Sequence, residues 1–173
     1  MSLDREKATA IRLLALDVDG VLTDGRITYS ASGEELKSFD IKDGLGIKLL
    51  QRAGIEVTII TGRRSPMVER RARELGIETV IQGREDKLTA LEEVCRQRDL
   101  ALEQCAYMGD DLPDLAALRA VGLGLTVANA SSAIRSAASW TSRHDGGAGA
   151  VREACDALLE ARGQLDALTA EFA

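Results

Sequence analysis

The apolar run Leu13-Leu14-Ala15-Leu16 ends abruptly in Asp17-Val18-Asp19-Gly20-Val21-Leu22-Thr23-Asp24-Gly25. Too short for a helix, the run reads as a buried strand of a parallel sheet that delivers acids to the sheet's carboxyl edge. That edge is where open α/β sheets bind their ligands. In an extended segment residues i and i+2 point the same way, so Asp17 and Asp19 face one site while Val18 faces the core. Two carboxylates this close repel each other unless a cation or a shared proton lies between them. Mg²⁺, a hard dication that takes oxygen ligands and a substrate phosphate, meets that need. A lone Asp after a strand would serve as a helix cap or turn residue, but a cap needs only one acid.

The chain beyond this turn alternates between strand and helix signals. Short alternating runs around Ala31-Ser32-Gly33-Glu34 predict a β-hairpin over 26–41, a ribbon that is marginal alone and has edges to pair. A helix over 44–53 stops at Gly54, and Glu56 to Thr61 reads as a second buried strand. Ser65-Pro66 opens a helix that ends at Gly76; 78–82, 104–108 and 122–127 are further strands, with helices over 86–98 and 113–120 between them. Ser131 caps a short helix, Trp140-Thr141 adds an edge strand, 148–161 is the final amphipathic helix, and 163–173 is a tail. Such alternation predicts βαβ units in a doubly wound parallel α/β sheet.

At 173 residues with 45% hydrophobic content, the chain suits one domain over 1–173 and is short for two. A formal charge of −6 argues against nucleic acid or an acidic membrane as partner, so an anionic substrate must be held by local cations. Residues 1–12 carry charge without an apolar core segment, no run is long enough to span a bilayer, and the chain is expected in the cytoplasm. Cys95, Cys105 and Cys155 lie far apart in odd number, as buried reduced thiols do. His144 stands alone, which removes any histidine dyad and leaves a loop or surface residue.

Three further places carry chemistry. Thr61-Gly62-Arg63 ends the second sheet strand, Lys87 sits in Glu85-Asp86-Lys87, and Gly109-Asp110-Asp111-x-x-Asp114 follows an apolar strand. Singly these would be turn chemistry, a solvated charge and a capped helix start. Taken in order with Asp17-x-Asp19, they resemble the four motifs of the haloacid-dehalogenase superfamily of phosphotransferases. The resemblance implies Asp17 as nucleophile, Asp19 as acid/base, Thr61 as a hydrogen-bond donor to the phosphoryl group and Lys87 as its neutralising cation. It implies Mg²⁺ on Asp17, the Asp19 carbonyl and Asp110.

A hairpin in place of a cap domain, with Asp40-Ile41-Lys42-Asp43-Gly44-x-Gly46, Gln82-Gly83 and Gly146-Gly147-x-Gly149, is similar to the capless sugar-acid phosphatases of that superfamily. In those enzymes four subunits join their hairpins into a central barrel, so a homotetramer is expected. The small-molecule contacts implied are Asp19, Asp40, Lys42, Asp43 and Gly44, together with Lys48, Arg63, Arg71, Lys87 and Asp111. Arg63 suits a substrate carboxylate through a bidentate pair, whereas phosphatases of nine-carbon sialic-type acids tend to carry Glu there. The expected substrate is therefore the 8-phosphate of an eight-carbon 3-deoxy sugar acid, with the nine-carbon 9-phosphate as the alternative. The tail is expected to act as a lid on a neighbouring subunit's site. A phospho-accepting receiver domain also uses acids, a Thr and a Lys around Mg²⁺, but there the phosphorylated Asp ends the third strand.

Overall fold

The computed structural model describes residues 3–33 and 35–172; Glu34 of the expected hairpin turn and Ala173 of the tail lie outside them. Helix α1 (Arg5–Ala10) leads into strand β1 (Leu13–Leu16), and the hairpin follows as β2 (Thr28–Tyr29) and β3 (Glu35–Leu36). Then come α2 (Ile41–Arg52), β4 (Glu56–Thr61), α3 (Pro66–Leu75), β5 (Thr79–Gln82), α4 (Lys87–Arg98) and β6 (Cys105–Met108). The chain finishes through α5 (Leu115–Ala120), β7 (Leu123–Thr126), α6 (Ser132–Ala137), β8 (Trp140–Thr141), α7 (Ala150–Ala161) and α8 (Leu165–Ala170).

Six strands form one sheet in the order β5-β4-β1-β6-β7-β8, each neighbouring pair parallel. The chain grows from β1 to one edge through β4 and β5, then returns to build the other side from β6. This places a topological switch point at the carboxyl ends of β1 and β6, where such sheets hold ligands. Every residue of β1, β6 and β7 is buried, as strands covered by helices on both faces must be. Helix α2 packs on α3 and α7, while α4 packs on α5 and α5 on α6. Right-handed crossovers put these two groups on opposite faces.

Three places differ from the sequence expectation. Residues 5–10 are helical, capped by Asp4, whose carboxylate accepts the Lys7 N–H at 3.1 Å, and Leu3, Ala8 and Ile11 around them are buried. One and a half turns give no apolar stripe for periodicity to register. Helix α2 begins at Ile41 rather than 44, because the Asp40 carboxylate takes the Lys42 N–H at 2.7 Å and caps the helix. The hairpin is correspondingly short, with Thr28 opposite Leu36 and Tyr29 opposite Glu35. The tail is helix α8, whose Leu165 and Leu168 lie against the chain's own core while Arg52 pairs with Glu171. Helix α7 starts beside the loop after β1 and runs toward α1, so α8 sits at the amino edge of the sheet, opposite the switch point.

Candidate active site

The Asp17 N–H continues the β1–β6 ladder onto the Met108 carbonyl at 3.0 Å, which fixes Asp17 at the carboxyl edge. Its carboxylate is buried and pairs with Lys87 Nζ at 2.9 Å. Lys87 is the first residue of α4, delivered from the β5 side of the sheet. The same ammonium reaches Asp114 Oδ1 at 2.6 Å. Asp114 is saturated: Oδ1 also accepts Tyr107 O–H at 2.7 Å, and Oδ2 accepts the N–H groups of Asp110 and Asp111 at 3.0 and 3.2 Å. It thus serves as the post that holds the lysine and the loop after β6.

Carboxylate oxygens of Asp17, Asp110 and Asp114 all lie within 4.8 Å of one another. Three carboxylates against the one ammonium of Lys87 leave two negative charges in a nearly dry place. Burial, then the Asp114 carboxylate, push the Asp17 carboxyl up to about 7. The same two causes push Asp110 up to about 6. Burial pulls the Lys87 ammonium down, but Asp17 and Asp114 outweigh it and hold it above its usual value. With Asp114 spent on hydrogen bonds, Asp17 and Asp110 are the oxygens left for a hard dication, and the missing charge is the charge such an ion carries.

Glycine makes this closeness possible. A Cβ on Gly20, at φ +95°, would stand 2.0 Å from Asp110 Oδ2, and one on Gly146 would stand 1.8 Å from the Gly20 carbonyl oxygen. The loop before α7 therefore lies directly on the acidic turn, with the Gly147 N–H donating to the Val21 carbonyl at 3.0 Å.

A scan against family models matches residues 79–153 to a haloacid dehalogenase-like hydrolase. The 3-deoxy-D-manno-octulosonate 8-phosphate phosphatase of Escherichia coli (strain K12) is 48% identical over 160 residues, covering 92% of this chain and 85% of that protein. The enzyme of the same description from Yersinia pestis is 46% identical over 95% of this chain and 88% of its own length. A crystal structure of the Moraxella catarrhalis phosphatase with magnesium, phosphate and KDO superposes with a TM-score of 0.96 at 48% identity, over 98% of this chain and 97% of that one. The chain belongs to the 3-deoxy-D-manno-octulosonate 8-phosphate phosphatase family.

A phosphatase of this family meets an anion with carboxylates, and two side chains that sequence reading passed over bear on that. Lys37, just after β3, has a side chain only 2% exposed and pairs with both Asp19 Oδ1 and Glu35 Oε1, the latter at 3.2 Å. Glu35 Oε2 accepts Arg63 Nη2 at 2.7 Å, and Arg63 Nε lies 3.8 Å from Asp19 Oδ2. The only sequence trace is Glu35-Leu36-Lys37, two charges at period two on one face of the hairpin, a pattern that a solvated ribbon shares.

The remaining expected contacts fall in separate places. Thr61 is buried at the end of β4. The Asp111 side chain is exposed while its N–H supports Asp114. Asp40, Gly44 and Arg71 meet below the hairpin: Arg71 Nη2 donates to the Asp40 carbonyl at 3.4 Å, and a Cβ on Gly44 would stand 2.4 Å from that nitrogen. Lys48 is exposed on α2, and Lys42 lines a cavity of about 710 Å³ beside α7. Asp43 turns into the body, where Oδ1 accepts the Arg152 N–H of α7 at 2.7 Å. All three cysteines are buried and free, and His144 is exposed on its loop.

Proposed function

We propose that the protein is a Mg²⁺-dependent phosphomonoesterase that hydrolyses 3-deoxy-D-manno-octulosonate 8-phosphate to the free sugar acid and phosphate, within lipopolysaccharide precursor synthesis. The observation that carries this reading is Asp17 locked at 2.9 Å to Lys87 beside Asp110, a site short of two positive charges. The magnesium- and KDO-bound relative supports the ion and the substrate class.

Asp17 Oδ attacks phosphorus, the P–O bond to the sugar breaks, and an aspartyl-phosphate forms. Asp19 gives its proton to the departing alkoxide, then takes one from the water that releases phosphate. Lys87 holds the nucleophile in line and offsets the charge gathering on the phosphoryl oxygens. The Thr61 hydroxyl donates to one of those oxygens. Bound on Asp17, Asp110 and the Asp19 carbonyl, Mg²⁺ would relieve the repulsion between carboxylate and ester as a Lewis acid. Arg63, facing Asp19, takes the substrate carboxylate.

The enzyme works as a homotetramer in the cytoplasm. Exposed Ile27, Tyr29 and Leu36 on the hairpin support the assembly. Three unbridged cysteines, and no helix long and apolar enough to cross a membrane among the described residues, support the location. Asp40, Lys42, Gly44, Lys48 and Arg71 would then complete sites across the subunit boundaries.

Phosphate release from the eight-carbon 8-phosphate and from a nine-carbon acid 9-phosphate, each with and without Mg²⁺, tests the reading. We expect Mg²⁺-dependent turnover with the larger kcat/KM on the eight-carbon ester, and a ratio that moves toward the nine-carbon ester in Arg63→Glu. Preference of the wild type for the nine-carbon ester would overturn the substrate assignment.

A further inference from the structure

The hairpin is held to the body by a closed ring of alternating charge. Asp19 follows β1, Lys37 and Glu35 come from the second arm of the hairpin, and Arg63 follows β4. Each contacts the next: Asp19 Oδ1 to Lys37, Lys37 to Glu35 Oε1 at 3.2 Å, Glu35 Oε2 to Arg63 Nη2 at 2.7 Å, and Arg63 Nε to Asp19 Oδ2 at 3.8 Å. The hairpin itself pairs only two residues with two, so this ring, together with Phe39 packed on the core just beyond it, sets where its second arm lies.

A lysine with 2% of its side chain exposed is expensive to desolvate unless acidic groups face it, and Asp19 and Glu35 both do. Its ammonium stands on Oδ1 of Asp19 while Oδ2 faces the Arg63 guanidinium, so both oxygens of the carboxyl group are set by ring members. A carboxyl that must hand a proton to one particular oxygen, and receive one from one particular water, works only when its plane is fixed. When Asp19 releases its proton to the leaving oxygen, the carboxylate that forms already has Lys37 beside it, so the charge appears where a cation is waiting.

We infer that Lys37 is the positioning residue of the acid/base Asp19, and that Glu35 holds Lys37 and Arg63 in register for it. Hairpin placement and proton transfer are thereby one event: a chain whose second arm is out of place has a nucleophile but no oriented acid. The inference rests on the acid/base role proposed for Asp19. It differs from that role in assigning function to the hairpin's own charges.

Leaving-group dependence tests it. 4-Nitrophenolate departs without a proton, while phenolate is more basic and gains from one; neither ester carries the carboxylate that Arg63 would hold. Full-length wild type, Lys37→Met, Lys37→Arg, Glu35→Gln and Asp19→Asn are compared on 4-nitrophenyl and phenyl phosphate with Mg²⁺ present. We expect Lys37→Met to lower kcat/KM for phenyl phosphate about tenfold more than for 4-nitrophenyl phosphate, part of the larger shift produced by Asp19→Asn. Lys37→Arg should restore most of the ratio. Glu35→Gln, which keeps the shape of the ring, should move the ratio in the same direction by less, and it serves if Lys37→Met does not fold. Equal losses on both esters in the lysine and glutamate variants would make the ring structural only and overturn the inference. If Asp19→Asn itself leaves the ratio unchanged, the acid/base role is the claim that fails, and the positioning role falls with it.

Discussion

Lys87 Nζ lies 2.6 Å from Asp114 Oδ1, nearer than the 2.9 Å that separates it from Asp17 Oδ2. The lysine is therefore anchored on an acid that has no place left for substrate or metal. Asp114→Asn would turn an amide N–H₂ toward either the ammonium and the tyrosine hydroxyl or the two backbone N–H groups, donor against donor. We expect a loss of about 2–3 kcal/mol in stability by thermal unfolding, from leaving buried donors without an acceptor. Lys87 loses its post at the same time, so kcat should fall by about tenfold or more.

Metal binding should release protons. Without the ion, burial and then the Asp114 carboxylate push Asp17 up to about 7 and Asp110 up to about 6, so both are partly protonated near neutrality. Mg²⁺ needs them ionised, hence its affinity should rise as pH goes from 6 to 8 and level off above. Calorimetric titration at pH 6.5 in two buffers of different ionisation enthalpy should show proton uptake by the buffer. Equal heats in both would contradict the ligand assignment. Chelation should abolish turnover, and added Mg²⁺ should restore it.

Asp43 sets a second pH dependence, away from the metal. Burial, aided by the nearby Asp40 carboxylate, pushes its carboxyl from 3.8 up to about 6 against the pull of the Arg152 N–H. A carboxyl raised in the folded state stabilises the fold while protonated: its contribution is whole below about pH 4 and is lost as pH rises through about 6. At saturating Mg²⁺, wild-type stability relative to Asp43→Asn should fall by on the order of 2–3 kcal/mol across that window. In Asp43→Asn the Oδ1 acceptor for Arg152 remains and the buried charge is gone, so its melting temperature should gain on that of wild type as pH rises through about 6 and exceed it at pH 7.5.

The strands were legible because each is a short apolar run closed by a turn residue or an acid, and the site because three of those runs end in its motif residues. Helix α1 was not legible: Leu3, Ala8 and Ile11 are too few to print a period, and they become core only when α7 covers them. The role of Lys37 was hidden for another reason. A lysine two residues from a glutamate on a ribbon looks solvated from sequence, and its burial depends on Asp19 and Arg63 arriving from strands far along the chain. Asp43 likewise lies among residues that resemble a substrate-binding stretch, yet its carboxylate faces α7 because the first turn of α2 packs there.

The outer face of the hairpin gives the last prediction. Tyr29 is 64% exposed and Leu36 54%, with Ile27 close by in the chain and Ile41 81% exposed at the start of α2. A two-stranded ribbon with so much apolar surface in water is stabilised by covering that surface, and its free strand edges offer backbone donors and acceptors to another copy. Four copies meeting through their hairpins would bury these side chains and close the sites that no cap covers. Putting an ammonium into that contact, by Leu36→Lys or Tyr29→Lys, costs desolvation, and the acid opposite position 29, Glu35, is already paired with Lys37 and Arg63. Light scattering on the wild type should give four chains. Each variant should dissociate at concentrations at least about tenfold higher than wild type, a change of about 1.4 kcal/mol or more. Because Glu35 and Lys37 share the hairpin arm with Leu36, the dissociated variants should also lose kcat/KM on the sugar-acid phosphate, while the fold, read by far-UV circular dichroism, persists. A wild type that sediments as one chain at full activity would remove the tetramer from the mechanism.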